Sequence, residues 1–203
     1  MMNLIFRKAK ADDDLEKIAE LLYYTDDYIY PFWFENLEKA KKEFPKLILE
    51  DHFFFHYSNL YLAIEEETNS IIGLICIVDK SVNLDYDYEK LKKVNDRYRF
   101  TVEHYIKGLI DEVQESKFAY ISNVCVNPEF RDLHVGTFLL DNLLQEYKKK
   151  KFDEIALDVL AGNPRAIHLY EKMGFKKSSD VFPGFNGTNE EKPDVFSMKR
   201  TLP

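Results

Sequence analysis

Between Ala119 and Gly174 the chain reads as two strand-to-helix units in succession, an order that constrains the fold more than any other feature. Ala119 to Val126 is strand-like, Asn127 to Thr137 is a loop, and Phe138, Leu139, Leu140, Leu143, Leu144 and Tyr147 then recur at helical spacing. Ile155 to Leu160 supplies the next strand. Asn163-Pro164 opens the next helix, since asparagine caps free amides and proline needs no hydrogen bond at the first helical position. Gly174 closes that helix, because a left-handed residue costs glycine little. A strand feeding a loop and then a helix gathers unpaired amides at the helix N-terminus, and such a spot binds anions. In the first loop Arg131 can pair with a phosphate and Gly136 lets the backbone come close to one; a plain turn with an exposed arginine is the alternative.

The rest of the chain supplies further elements. Leu4-Ile5-Phe6 suits a first strand, and Asp12-Asp13-Asp14 precedes a helix over residues 13–24 with Leu15, Ile18, Ala19 and Leu22 on one face. Thr25 to Pro31 reads as a turn-rich connection, followed by a second helix over 33–43 that Pro45 ends. Leu60 to Glu65 and Ile71 to Val78 form a hairpin across the polar Glu66 to Ser70. The charged, Tyr-rich stretch 79–117 reads as a helical insertion, Pro183 to Asn189 as a loop, and Val195 to Met198 as a final strand.

Composition narrows the function classes. With 203 residues, 45% hydrophobic, and only 7 Gly and 7 Pro, the chain is a globular protein, expected as a single domain over 1–203. A net charge of -8 lacks the basic face that phosphate neutralisation requires, so nucleic acid is not an expected partner. Lys148 to Lys151 closes a helix, where cations offset the macrodipole. No run approaches the roughly 18 apolar residues of a membrane span, and the N-terminus lacks a secretory pattern, so neither a membrane nor export is expected. Cys76 and Cys125 lie in apolar runs that suit reduced, buried thiols, and a cytoplasmic location follows as an expectation.

Val126-Asn127-Pro128-Glu129-Phe130-Arg131-Asp132-Leu133-His134-Val135-Gly136-Thr137 resembles the acyl-CoA signature of the GNAT superfamily of N-acetyltransferases, whose pattern is Gln/Arg-x-x-Gly-x-Gly/Ala. Arg131 fills its first position and Gly136 its last, while His134 stands where the family has its first glycine, adding a side chain where backbone normally approaches pyrophosphate. Downstream, the run from Asn163 to Phe175 resembles the family's Asn-x-x-Ala-x-x-x-Tyr-x-x-x-Gly-Phe element. The resemblance implies an α/β (α+β) fold with a mixed, bent central sheet flanked by helices. It implies acetyl-CoA as co-substrate, no metal, and a small-molecule amine or a peptide as acceptor; a homodimer is compatible with it.

Carried over position by position, the resemblance has backbone groups around Val124 and Val126 hold the pantetheine arm. Amides of Arg131, Asp132, Leu133, His134, Val135, Gly136 and Thr137 cradle the pyrophosphate, and Asn163 contacts the pantetheine. Tyr170 is the general acid for the leaving thiolate, a role suited to a phenol that is protonated at neutral pH; a helix tyrosine packed on the sheet is its structural alternative. Spacing assigns no base. Asn123 and Asp158 are candidates to order a water or to serve structure, and His134 and His168 read first as exposed. Cys125 has nothing adjacent to lower its pKa and reads as inert. The acidic, aromatic stretches Tyr23, Tyr24, Asp26, Asp27, Tyr28 and Asp85 to Glu89 either wall an amine site or are solvated surface. A non-catalytic acyl-CoA-binding or regulatory module is the alternative function. A mononucleotide-binding protein fits poorly, since the loop has neither a Gly-Lys-Ser/Thr nor a G-x-G-x-x-G.

Overall fold

The computed structural model describes residues 2–51, 53–81, 96–101, 111–113, 118–184 and 192–202. Strands β1 (Leu4–Lys8), β2 (Leu60–Glu65), β3 (Ser70–Val78), β4 (Phe118–Val126), β5 (Glu154–Leu160), β6 (Lys176–Lys177), β7 (Phe182–Pro183) and β8 (Asp194–Thr201) form one sheet. Its order is β1-β2-β3-β4-β5-β8-β6, with β7 also on β8. The β4–β5 pair is parallel and the others are antiparallel, as the expected mixed sheet requires.

Side-chain alternation along the strands divides the core in two. Leu60, Leu62, Ile64, Leu74, Cys76 and Cys125 pack against helices α1 (Leu15–Tyr23), α2 (Ile29–Phe34) and α3 (Leu37–Ile48). Tyr61, Ala63, Ile75, Ile77, Ala119 and Ile121 face the other way, toward α5 (Val135–Lys149) and α6 (Pro164–Lys172). A short helix α4 (Asp96–Thr101) meets α2, where the Trp33 indole donates to the Thr101 hydroxyl at 2.9 Å.

The β3–β4 register contains the irregularity that matters most. Cys76 pairs with Asn123 but Ile77 pairs with Ile121, leaving Ser122 as an extra residue on β4. Such a bulge reverses the alternation. Ala119 and Ile121 lie on the α5 face, whereas Asn123 and Cys125 turn toward α1 and α2. The parallel pairing with β5 stops at the same place, its last pair being Ile121 and Leu157. Beyond it the two strands part.

Several expected boundaries move. The second helix is not 33–43: α2 ends at Phe34, Glu35 adopts φ 64°, and Asn36 caps α3 by accepting from the Lys39 amide at 2.9 Å. Pro45 does not end α3, which runs to Ile48, because a proline near a helix end forfeits a single bond that the remaining packing outweighs. Pro31 lies in the first turn of α2 rather than in a connection, where its missing amide would have had no partner. Helix α5 starts at Val135, so Gly136 and Thr137 belong to its first turn. Of the expected insertion 79–117, residues 96–101 and 111–113 are helical, and 82–95, 102–110 and 114–117 lie outside the described residues, as do 185–191 in the tail loop.

Candidate active site

A cavity of about 210 Å³ occupies the gap where β4 and β5 separate. Ser122, Asn123 and Val124 line it from β4 and Asp158, Val159 and Leu160 from β5. Asn163, Ala166 and Tyr170 enter from α6, Thr25 and Asp26 from the α1–α2 connection, and Tyr30 and Trp33 from α2.

The open edge of β4 offers unpaired backbone. The Asn127 amide donates to the Ile72 carbonyl at 2.8 Å, so position 127 faces β3. Antiparallel alternation therefore turns the amide and carbonyl of Val126 and Val124 away from β3, into the gap, where no described strand meets them.

At the end of β4 the chain makes a 3₁₀ turn over Pro128–Phe130 and enters α5 through two residues with positive φ, Asp132 (63°) and His134 (62°). The first intrahelical bond runs from the Phe138 amide to the His134 carbonyl at 2.9 Å, leaving the amides of Val135, Gly136 and Thr137 without helical partners. His134 is the N-cap, its imidazole exposed and making no cap bond. The position that departs from the family pattern is thus one where the backbone itself favours glycine. Gly136 has a packing reason: a Cβ there would stand 3.0 Å from Leu169 Cδ2 and 3.7 Å from Val126 Cγ2. Helix α5 begins in close contact with both α6 and the end of β4. Arg131, Asp132 and Leu133 are exposed, and Asp132 pairs with Arg165 of α6 at 2.7 Å.

Asn163 caps α6 by accepting from the Ala166 amide at 3.1 Å. About two turns later Tyr170 faces the cavity, only 8% exposed, with its ring 6.0 Å from that of Phe175. Its hydroxyl has no hydrogen-bond partner among the described residues, and burial raises its pKa above the ordinary phenol range. Gly174 at φ 81° ends the helix turn as the sequence led us to expect.

Two candidates that line the cavity are held by other side chains. Asn123 is buried, and its side chain is consumed in bonds to Thr25 Oγ1 (2.6 Å), Tyr30 Oη (2.7 Å) and Ser122 Oγ (2.8 Å). Asp158 accepts from Tyr120 Oη at 3.1 Å and Ser197 Oγ at 2.6 Å. Cys125 is buried, its thiol pushed up to about 12 by burial, which suits the inert reading; His168 is exposed on α6. Sequence reasoning named Asp26 only within an acidic stretch, and the structure separates it from its neighbours. Of Tyr23, Tyr24, Asp26, Asp27 and Tyr28, only Asp26 lines the cavity. Residues 85–89 lie outside the described residues. The signal for Asp26 was present: an acidic residue shortly before an apolar helix is a capping position.

The model of the Acetyltransferase (GNAT) family matches residues 22–175. The chain belongs to this family. Among its relatives, the [Ribosomal protein bS18]-alanine N-acetyltransferase of Escherichia coli (strain K12) is 34% identical over 80 residues, covering 39% of this chain and 53% of that protein. The chain therefore spans about half the length of that GNAT relative. An N-alpha-acetyltransferase of Saccharolobus solfataricus is 25% identical over 193 residues, covering 94% of this chain and 89% of its own. The fold also matches the crystal structure of the NatC complex bound to Gag peptide and CoA, with a TM-score of 0.60, 14% identity and full coverage of both chains. The GNAT fold, a mixed sheet flanked by helices, agrees with the one expected from the two motifs.

Proposed function

We propose that this GNAT protein transfers an acetyl group from acetyl-CoA to the primary amine of a small molecule or peptide, by direct attack in a ternary complex. The observation that carries this reading is the Tyr170 hydroxyl, buried and without a partner among the described residues, beside a cavity in the gap between β4 and β5. An unsatisfied buried hydroxyl costs about 1–3 kcal/mol and calls for a ligand atom. The names of the relatives as N-acetyltransferases support the same chemistry.

The residues present fit the co-substrate. The outward-facing groups of Val124 and Val126 pair with an amide-bearing arm as an added strand would. The amides from Asp132 to Thr137, with the Arg131 side chain, receive the diphosphate at the start of α5, while the Arg131 amide donates to the Pro128 carbonyl at 3.3 Å. The Asn163 side chain uses Oδ1 for its cap and keeps its amide protons for the arm. When bound, acetyl-CoA supplies an acyl thioester open to attack by an amine. Tyr170, held protonated by burial, gives its proton to the departing sulfur as the C–S bond breaks. It regains the one proton that the neutral amine nitrogen sheds as the C–N bond forms; an acceptor that arrives as an ammonium ion gives its extra proton to water before it attacks. The two buried, unpaired thiols suit a reducing cytoplasm.

Incubation with acetyl-CoA and a panel of polyamines, amino acids, aminoglycosides and peptides should release free thiol with at least one acceptor. Tight CoA binding in a calorimeter without turnover would instead select a non-catalytic acyl-CoA-binding module, and no CoA binding would reject both.

A further inference from the structure

We infer that the acceptor enters as a cation and that Asp26 is the residue that holds its ammonium group. This rests on the acyl-transfer reading above and assigns the other half of the same site.

Charge balance is the first ground. Among the described residues, the cavity lining contains two carboxylates, Asp26 and Asp158, and no lysine, arginine or histidine. Neither carboxylate forms an ion pair with a described residue. Negative charge in a partly buried cleft that has no cationic side chain among its described lining residues is costly unless a cation joins it.

Bonding separates the two. Asp158 has both oxygens engaged, by Tyr120 and by Ser197. Asp26 uses Oδ1 alone, accepting from the amides of Tyr28 and Ile29, each at 2.7 Å, and Oδ2 has no described partner. Burial raises the Asp26 carboxyl above its ordinary range, the two amide bonds oppose this, and Asp27 adds to it. A cation at Oδ2 would relieve that burial cost.

Rigidity is the third ground. Thr25 and Tyr30, on either side of Asp26 in the chain, are both bonded to Asn123 Nδ2. The α1–α2 connection is thereby fixed to β4 one residue before Val124. Tyr30 and Trp33 line the same cavity, with ring centroids 5.3 Å apart, adding aromatic surface that favours a cation over a neutral group.

Trp33 is the single tryptophan of the chain, so its fluorescence reports cavity occupancy. CoA binding is measured first, by calorimetry, on the wild-type protein; its absence would defeat the acyl-transfer reading itself. On the CoA-loaded protein, benzylamine and its neutral isostere benzyl alcohol are then titrated against Trp33 fluorescence. The wild type should prefer benzylamine by about tenfold or more, the scale of one partly buried charge pair. Asp26→Asn keeps an oxygen for the two amides and should abolish the preference while leaving CoA and benzyl alcohol affinities unchanged. Asp26→Ser should behave the same way, and Asp158→Asn should retain the preference. The inference is overturned if CoA binds but benzylamine shows no preference in the wild type, or if the preference survives both Asp26 substitutions, or if it disappears only with Asp158→Asn.

Discussion

The Asn123 side-chain amide lies 2.7 Å from the hydroxyl of Tyr30, a residue 93 positions earlier in the chain. This bond crosses the α1-side core and ties the central strand to α2, which lines the cavity. Both residues are buried, Tyr30 at 2% and Asn123 at 7% exposure.

Asn123→Leu should therefore destabilise the protein by about 2–3 kcal/mol, because it strips donors from Tyr30 and Thr25 and leaves their hydroxyls inside. Tyr30→Phe leaves Asn123 its bond to Thr25 and should cost about 1 kcal/mol. Urea unfolding of the two variants checks the order; equal losses would mean that the amide does not carry the connection.

Tyr170→Phe should leave stability unchanged or slightly higher, since it removes a buried hydroxyl that has no partner among the described residues, while turnover falls about 10²-fold or more. The pH dependence has a definite sign. Burial raises the Tyr170 pKa, so the phenol stays protonated through the ordinary phenol range near 10. Its ionisation in the unfolded chain comes first, and its contribution to stability is present below about pH 10 and lost as pH rises toward the folded pKa. Unfolding midpoints measured from pH 8 to 11 should fall less steeply for Tyr170→Phe than for the wild type.

At the entrance to α5, His134 holds a left-handed conformation at φ 62°. His134→Gly relieves that cost but frees the unfolded chain, so a gain of about 0–1 kcal/mol is expected, with CoA affinity at least maintained. A β-branched residue tolerates this region worst, and His134→Val should lose about 1–2 kcal/mol. Thermal melts and CoA titrations of both variants provide the check.

The contact between Gly136 and Leu169 joins the two helices that flank the motifs. Gly136→Val should overpack it and cost about 1–3 kcal/mol. Leu169→Ala opens the space, so the double variant should be more stable than the sum of the single losses. A double-mutant cycle that showed simple additivity would disprove the contact.

The second half of the fold was legible because its signals are local. Asn163 announces its cap, Gly174 its positive φ, and the heptad-like leucines of α5 their common face. The region before Pro45 was harder to read. Nothing in the periodicity of 33–43 reveals that Glu35 turns left-handed and that Asn36 begins a new helix, because the Phe34, Leu37 and Ala40 pattern continues across the break.

Asn123 and Asp26 show the same divide within the site. Residue type and order determined the strand, the loop that enters α5 and the place of Tyr170 on its helix, since caps, turns and helical spacing act over a few residues. The tertiary structure alone decided which face each β4 side chain serves. The bulge at Ser122 depends on pairing with β3 some fifty positions away, and a single extra residue reverses every side chain beyond it. That reversal sends Asn123 to Tyr30 and brings Asp26 to the cavity.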